Sequence, residues 1–187
     1  MGLTYENSNP NTDTRTAVGV FESNEPIYNP LYLRYPLNAF TSIFYWVPLL
    51  YIPFSHKIDS NLLGISILTC LAPVSFIWWA TSNPCIKYID NGLVLSTKLW
   101  LISVITNHPE INVLIPLFFC INRDKLIKNL AFTGSCALLW YNPNNISRGL
   151  FSISLLGKLS DSYLGNIYGT SIFHVFSGLA IAVYFKD

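Results

Sequence analysis

The sequence predicts an all-α membrane protein, a compact bundle of about seven transmembrane helices. Apolar residues fill 51% of the 187 positions and charged residues only 11%, against roughly 25% charged in soluble domains. The apolar residues gather into seven runs, separated by short polar breaks marked by Asn, Pro or Gly. Aromatic residues are abundant, with 12 Phe, 11 Tyr and 5 Trp, and such rings settle at headgroup level in membrane proteins.

Residues 1–36 form a polar N-terminal tail, rich in Asn, Thr, Ser and Glu and expected to be extended or disordered. The tail has no apolar stretch that would make it a cleavable signal peptide. Met1-Gly2 fails as a myristoylation start because Glu6 stands where Ser or Thr is needed. The bundle occupies residues 37–187. Its first span is 37–54, with Pro48 inside it, which is tolerable in a membrane helix when neighbours satisfy the freed carbonyl. The second is 62–81, closed by Ser82-Asn83-Pro84, and the third is about 86–106, closed by Asn107-His108-Pro109-Glu110. The fourth run, 111–121, contains Pro116 and is too short for a full crossing of about 20 residues. It is expected as a short, partly buried helix or one that borrows flanking turns. The fifth covers about 127–141 and ends at the turn Asn142-Pro143-Asn144-Asn145. The sixth, 149–164, carries Lys158 and Asp161, and the seventh, about 165–185, is apolar apart from His174.

With seven crossings, Arg15, Arg34, Lys87, Arg123, Lys125, Lys128 and Lys158 fall on the side of the N-terminus. Lys57, Arg148 and Lys186 fall on the other. The positive-inside rule then places the N-terminus in the cytoplasm or its organelle equivalent. Lys+Arg total 11 and Asp+Glu 10, a balance that gives no basis for nucleic-acid binding; the expected partners are membrane lipids and other membrane-protein subunits. Cys70, Cys85, Cys120 and Cys136 form no C-x-x-C pair, so neither a disulfide framework nor a zinc ribbon is indicated. Three lie in apolar runs, where a thiol is expected as a small buried hydrophobe.

Charged or imidazole side chains inside apolar runs mark functional candidates. Asp90 and Lys98 lie in the third run and His174 in the seventh. Ser75 and Trp79 are four residues apart and share one helix face, as do Thr170 and His174. Facing helices of a bundle build internal metal sites from such positions.

These positions resemble those of the alkaline ceramidases and the wider CREST group of seven-helix membrane hydrolases, which includes the adiponectin receptors. The resemblance spans residues 35 to about 185. The family's first helix opens with E-x-x-N, followed by a Ser and a downstream Pro; here the stretch is Tyr35-Pro36-Leu37-Asn38-Ala39-Phe40-Thr41, with Pro48 beyond. Its second helix carries S-x-x-x-H, here Ser75-Phe76-Ile77-Trp78-Trp79. An Asp follows that His by eleven residues, here Asp90. Its last helix carries H-x-x-x-H, here Thr170-Ser171-Ile172-Phe173-His174. The resemblance implies a zinc site held by three imidazoles, yet two of those positions are Trp79 and Thr170, leaving His174 as the only retained ligand position. The glutamate of the family's calcium site is Tyr35.

Three functions follow as expectations. The first is a ceramidase-like integral membrane protein that has lost zinc-dependent hydrolysis, binds no cofactor, and serves as an accessory subunit or lipid-binding module. Ser75 and Asp90 are then relic catalytic positions. The second is an active lipid amide hydrolase containing zinc, with Ser75 helping to stabilise the oxyanion and Asp90 orienting groups or shuttling protons. The third is a transporter or channel using Asp90, Lys98 and His174 as a polar path, for which no inverted repeat is visible. Family resemblance points to an endomembrane, within a broader expectation of an intracellular organelle. Structural readings stand beside these: Asp90 paired with Lys87 or capping its helix, His174 hydrogen-bonded to Ser75 or Asp90, and Ser75 as a helix-packing hydroxyl. Lys98 would snorkel, pair with a carboxylate such as Asp161, or meet a lipid phosphate. The sequon Asn145-Ile146-Ser147 hugs the membrane and is expected to be unused. His56 and His108 are expected to stay in loops.

Overall fold

A computed structural model describes residues 35–55, 61–120, 124–166 and 168–186. Residues 1–34 of the tail, His56, Lys57 and Arg123 lie outside the described residues. The described chain is all helical and contains no strand. Four stretches are long and apolar enough to cross a membrane: Pro36–Phe54, Leu62–Thr81, Pro84–Thr106 and Gly169–Lys186.

The first stretch begins as helix α1 (Pro36–Thr41) and tightens into a 3-10 helix over Ser42–Leu50, with a second short 3-10 turn at Ile52–Phe54. Nine residues is long for a 3-10 helix, whose rise of about 2.0 Å per residue carries the chain about 18 Å. Helix α2 (Asn61–Thr81) holds Pro73 within it. A proline has no N–H for the carbonyl four residues back, so the Thr69 carbonyl is left over; the Trp46 indole N–H donates to it at 3.3 Å. Helix α3 (Pro84–Thr106) starts on an Asn83 cap, whose side chain accepts from the Cys85 N–H, with Pro84 in the first turn. It ends at Asn107 in the left-handed conformation.

A 3-10 helix over Pro109–Leu114 and the short helix α4 (Ile115–Phe118) follow. Among the described elements they pack on α3 and on each other. The Phe119 ring rests against Gly92, where a Cβ would come within 2.7 Å of it. This stretch therefore retraces α3 from its C-terminal end back to Gly92, a rise of about 20 Å along α3. Helix α5 (Asp124–Tyr141) leads through a tight turn into α6 (Asn145–Leu164). Asn144 caps α6 by accepting from the Ser147 N–H, and Gly165 ends it with φ 65°. The turn is sealed by Asn142, which is fully buried and donates to Ser147 Oγ at 2.8 Å, while Ser147 donates to the Ala180 carbonyl at 2.7 Å. The sequon hydroxyl is thus part of the core. Helix α7 (Gly169–Lys186) completes the bundle.

The core lies between α2, α3, α7 and the Ser42–Leu50 helix, around Leu68, Leu71, Trp100, Leu101 and Ile181. Trp100 stacks on Phe185 at 5.4 Å between centroids. Two close approaches depend on small residues, as membrane helix packing does. The α6 and α7 backbones meet at Gly157 and Gly169, and the Gly178 backbone sits against the Phe44 carbonyl. All four cysteines are exposed on the outside of the bundle, which corrects the expectation of buried thiols: an apolar helix in lipid turns one face outward, and the thiols are on it.

Candidate functional site

One end of the bundle collects α1, the C-terminal ends of α2 and α6, and the first turns of α3 and α7. His174 stands at the centre, only 3% exposed. Its Nδ1 lies 3.1 Å from the Asn38 carbonyl, 3.2 Å from Thr41 Oγ1 and 3.4 Å from Ser42 Oγ. Thr41 and Ser42 direct their protons to the carbonyls of Leu37 and Asn38, each at 2.9 Å. A proton on Nδ1 would be donated to the Asn38 carbonyl. The rings of Tyr45, Trp79 and Phe173 surround the imidazole, with centroids 5.4–6.0 Å from its own.

Two branches leave this centre. Ser42 Oγ reaches Ser75 Oγ at 3.2 Å, and the Ser75 hydroxyl faces the Asp90 carboxylate. On the other side, Ser171 donates to the Asn38 side-chain carbonyl at 2.6 Å. Ser75, Asp90 and His174, which lie far apart in sequence, are thus brought together, with Ser42 relaying between His174 and Ser75 in place of the direct contact expected.

Trp79 and Thr170 converge on Lys158 of the sixth run, a residue that the sequence marks only as a charge on the side of the N-terminus. Lys158 Nζ donates to Thr170 Oγ1 at 3.0 Å and pairs with Asp161 Oδ2 at 3.2 Å. Thr170 in turn donates to the same carboxylate oxygen at 2.7 Å. The ammonium lies 6.0 Å from the Trp79 ring centroid and 6.0 Å from that of Phe173. Tyr35 donates its backbone N–H to the Trp79 carbonyl at 3.1 Å and sets its ring edge-on to the indole. Helical spacing within α6 was the available signal for Lys158, since it stands i, i+3 to Asp161.

Lys98 does not reach Asp161, as pairing would require. It donates to the Ala131 carbonyl at 3.0 Å and to Ser135 Oγ, both on α5. His108 stays exposed and is bonded to Glu110 at 2.7 Å. Bonds from its backbone and from His108 hold the Glu110 carboxyl below its usual range.

Three buried atoms around His174 have no hydrogen-bond partner: Asp90 Oδ1, Tyr45 Oη and Trp79 Nε1. They amount to one acceptor and two donors, capacity that water or a ligand's polar group commonly fills. The donor set suits zinc poorly. Indole nitrogen only donates, the Thr170 oxygen is engaged by Asp161 and Lys158, and a fixed ammonium beside these positions repels a second cation. Among the described residues no group of three or more His, Cys, Asp or Glu is placed to hold a metal ion.

Fold and site together define an all-helical membrane protein with a buried polar cluster at one end of its bundle. Comparison of the chain with protein-family models, with curated proteins and with solved structures gives no match.

Proposed function

We propose that this chain is a ceramidase-like seven-pass membrane protein whose hydrolytic centre has been replaced by a fixed ion-pair cluster. It serves as a structural or accessory subunit of a membrane assembly, or as a lipid-binding module. The observation that carries this reading is the seat of Lys158: its ammonium stands between Trp79 and Thr170, the two positions at which the resemblance calls for imidazoles. A cation supplied by the chain there makes a metal unnecessary for holding Asp161 and Thr170 in place. The seven-pass topology is favoured by the stretch Pro109–Phe118, whose return along α3 to Gly92 lets α5 start at the same end as the site. The residual Ser75, Asp90 and His174 then act in packing, joined by hydrogen bonds among α1, α2, α3 and α7. The unmet polar atoms near His174 suit a lipid hydroxyl or amide, or a water.

The test is hydrolysis of long-chain ceramides by the purified protein in lipid nanodiscs, with zinc and calcium supplied. The expected result is no turnover above protein-free discs. Turnover that disappears in His174→Ala, with the variant still folded, would overturn the proposal in favour of a working hydrolase.

A further inference from the structure

A second polar site lies deeper in the bundle. Lys98 is fifteen residues into α3 and 8% exposed. Helix α5 is shaped around it. Its stem lies on Gly134, where a Cβ would come within 3.2 Å of Lys98 Cδ, and its ammonium is bonded to Ala131 and Ser135 one turn apart. The Phe173 ring centroid is 5.5 Å away. Among the described residues no carboxylate pairs with it, since Asp161 is taken by Lys158. An ammonium out of water without a counter-charge is strongly disfavoured.

Beside it is a cavity of about 30 Å³, more than the roughly 10–15 Å³ that one water needs. Lys98, Ser135, Tyr45, Ser154 and Ser177 contribute its polar lining. Tyr45 is 3% exposed and its hydroxyl has no partner. Ser154 and Ser177 share one hydrogen bond of 2.6 Å, in which either hydroxyl can donate. An ammonium has three donors and no acceptor; Ala131 and Ser135 take two. Ser135 donates to the Ala131 carbonyl and Ser154 to the Phe173 carbonyl, so the donors left for the cavity are the third N–H of Lys98 and the Tyr45 hydroxyl, with no carboxylate in the wall itself. Asp90 is not part of the lining.

We infer that this cavity binds one small monovalent anion, a halide such as chloride, as the counter-ion of Lys98. A halide is a single-atom monovalent anion that would balance the charge of Lys98 from within this cavity. Water would satisfy the donors but leave the charge uncompensated. The cavity shares Tyr45 with the surroundings of His174, but the inference rests on Lys98 and does not depend on the function proposed for that cluster.

The experiment is equilibrium binding of radiolabelled chloride to the purified full-length protein in nanodiscs, with gluconate as the inert anion. The expected result is saturable binding of one chloride per chain, lost in Lys98→Met and weakened about 3- to 10-fold in Tyr45→Phe, which removes one neutral donor. Should Lys98→Met fail to fold, Tyr45→Phe decides, judged on monodisperse protein. Absence of saturable binding to folded wild-type protein overturns the inference and leaves a water-filled cavity. Binding unchanged in the folded variants also overturns it, because the ion then sits elsewhere.

Discussion

Gly178 offers a sharp test of how α7 seats the site. A Cβ built there meets the carbonyl carbon and oxygen of Phe44 in the Ser42–Leu50 helix. Both obstructing atoms are backbone, so no rotamer change relieves the clash, and α7 has to move away. Overpacking of this kind costs about 1–3 kcal/mol. Against it stands the helix-propensity gain of alanine over glycine, about 0.8–1.0 kcal/mol. With a rigid obstruction the upper half of the clash range applies, and Gly178→Ala is expected to destabilise by about 1–2 kcal/mol. Gly149, on α6, is the matched control: nothing lies within 4 Å of a Cβ built there. Gly149→Ala is expected to gain about 1 kcal/mol from propensity alone. At roughly 2–4 °C per kcal/mol for a chain of this size, the two variants should separate by about 4–12 °C, on opposite sides of wild type. Thermal unfolding followed by intrinsic fluorescence in one detergent measures this. Gly178 is one turn beyond His174, so its displacement should also loosen the contacts of His174 to Thr41 and Ser42. Equal shifts of the same sign for both alanine variants would refute the close approach.

Trp46→Phe should cost about 0.5–1 kcal/mol by removing the donor to the Thr69 carbonyl. That cost should shrink in a Pro73→Ala background, where the helix supplies its own N–H, and a double-mutant cycle in unfolding free energy measures the coupling. Ser171→Ala should cost about 0.6–1.7 kcal/mol, the membrane range for a side-chain hydrogen bond, by leaving the Asn38 side-chain carbonyl without its 2.6 Å donor; equilibrium unfolding in mixed micelles reads it. Glu110→Gln should lower stability at neutral pH and have no effect in acid. The folded carboxyl titrates below its usual range, so its contribution is present above that range and is lost as pH falls through it. A Tm series from pH 3 to 7 (roughly spanning the ordinary Glu range) on both proteins checks the sign. Trp79→His combined with Thr170→His and Lys158→Met should create a zinc site that titrates with defined stoichiometry, while Trp79→His alone should not.

Breaks between helices were legible because the residues there act locally. Asn83-Pro84 and Asn144 cap the helices they precede, and Asn107 takes the left-handed cap conformation. The positions of Ser75, Asp90 and His174 could be picked out because polar atoms inside apolar runs stand out against their neighbours. The tightening of 42–50 into a 3-10 helix left no such mark. It coincides with Pro48 and with the close approach of α7 at Gly178 to Phe44, and the second of these is tertiary. Lys158 does not stand out as a site residue in the sequence, because a lysine in the least apolar run looks the same whether it meets solvent or Asp161. The cysteines went astray for a related reason. In lipid both faces of a helix are apolar, so hydropathy alone does not say which face turns inward. Asn38, Thr41 and Ser42 were readable only as local sequence; their hydrogen bonds to His174 join residues more than 130 positions apart.

Zinc content of the purified protein, measured beside His174→Ala, tests most directly whether the Lys158 ammonium has taken the place of a metal. Protein purified without chelators and washed free of loosely held ions should contain no stoichiometric zinc in either form. About one zinc per chain in wild type, lost in a folded His174→Ala, would contradict the metal-free reading and mean that ligands beyond Trp79, Thr170 and Lys158 complete the site.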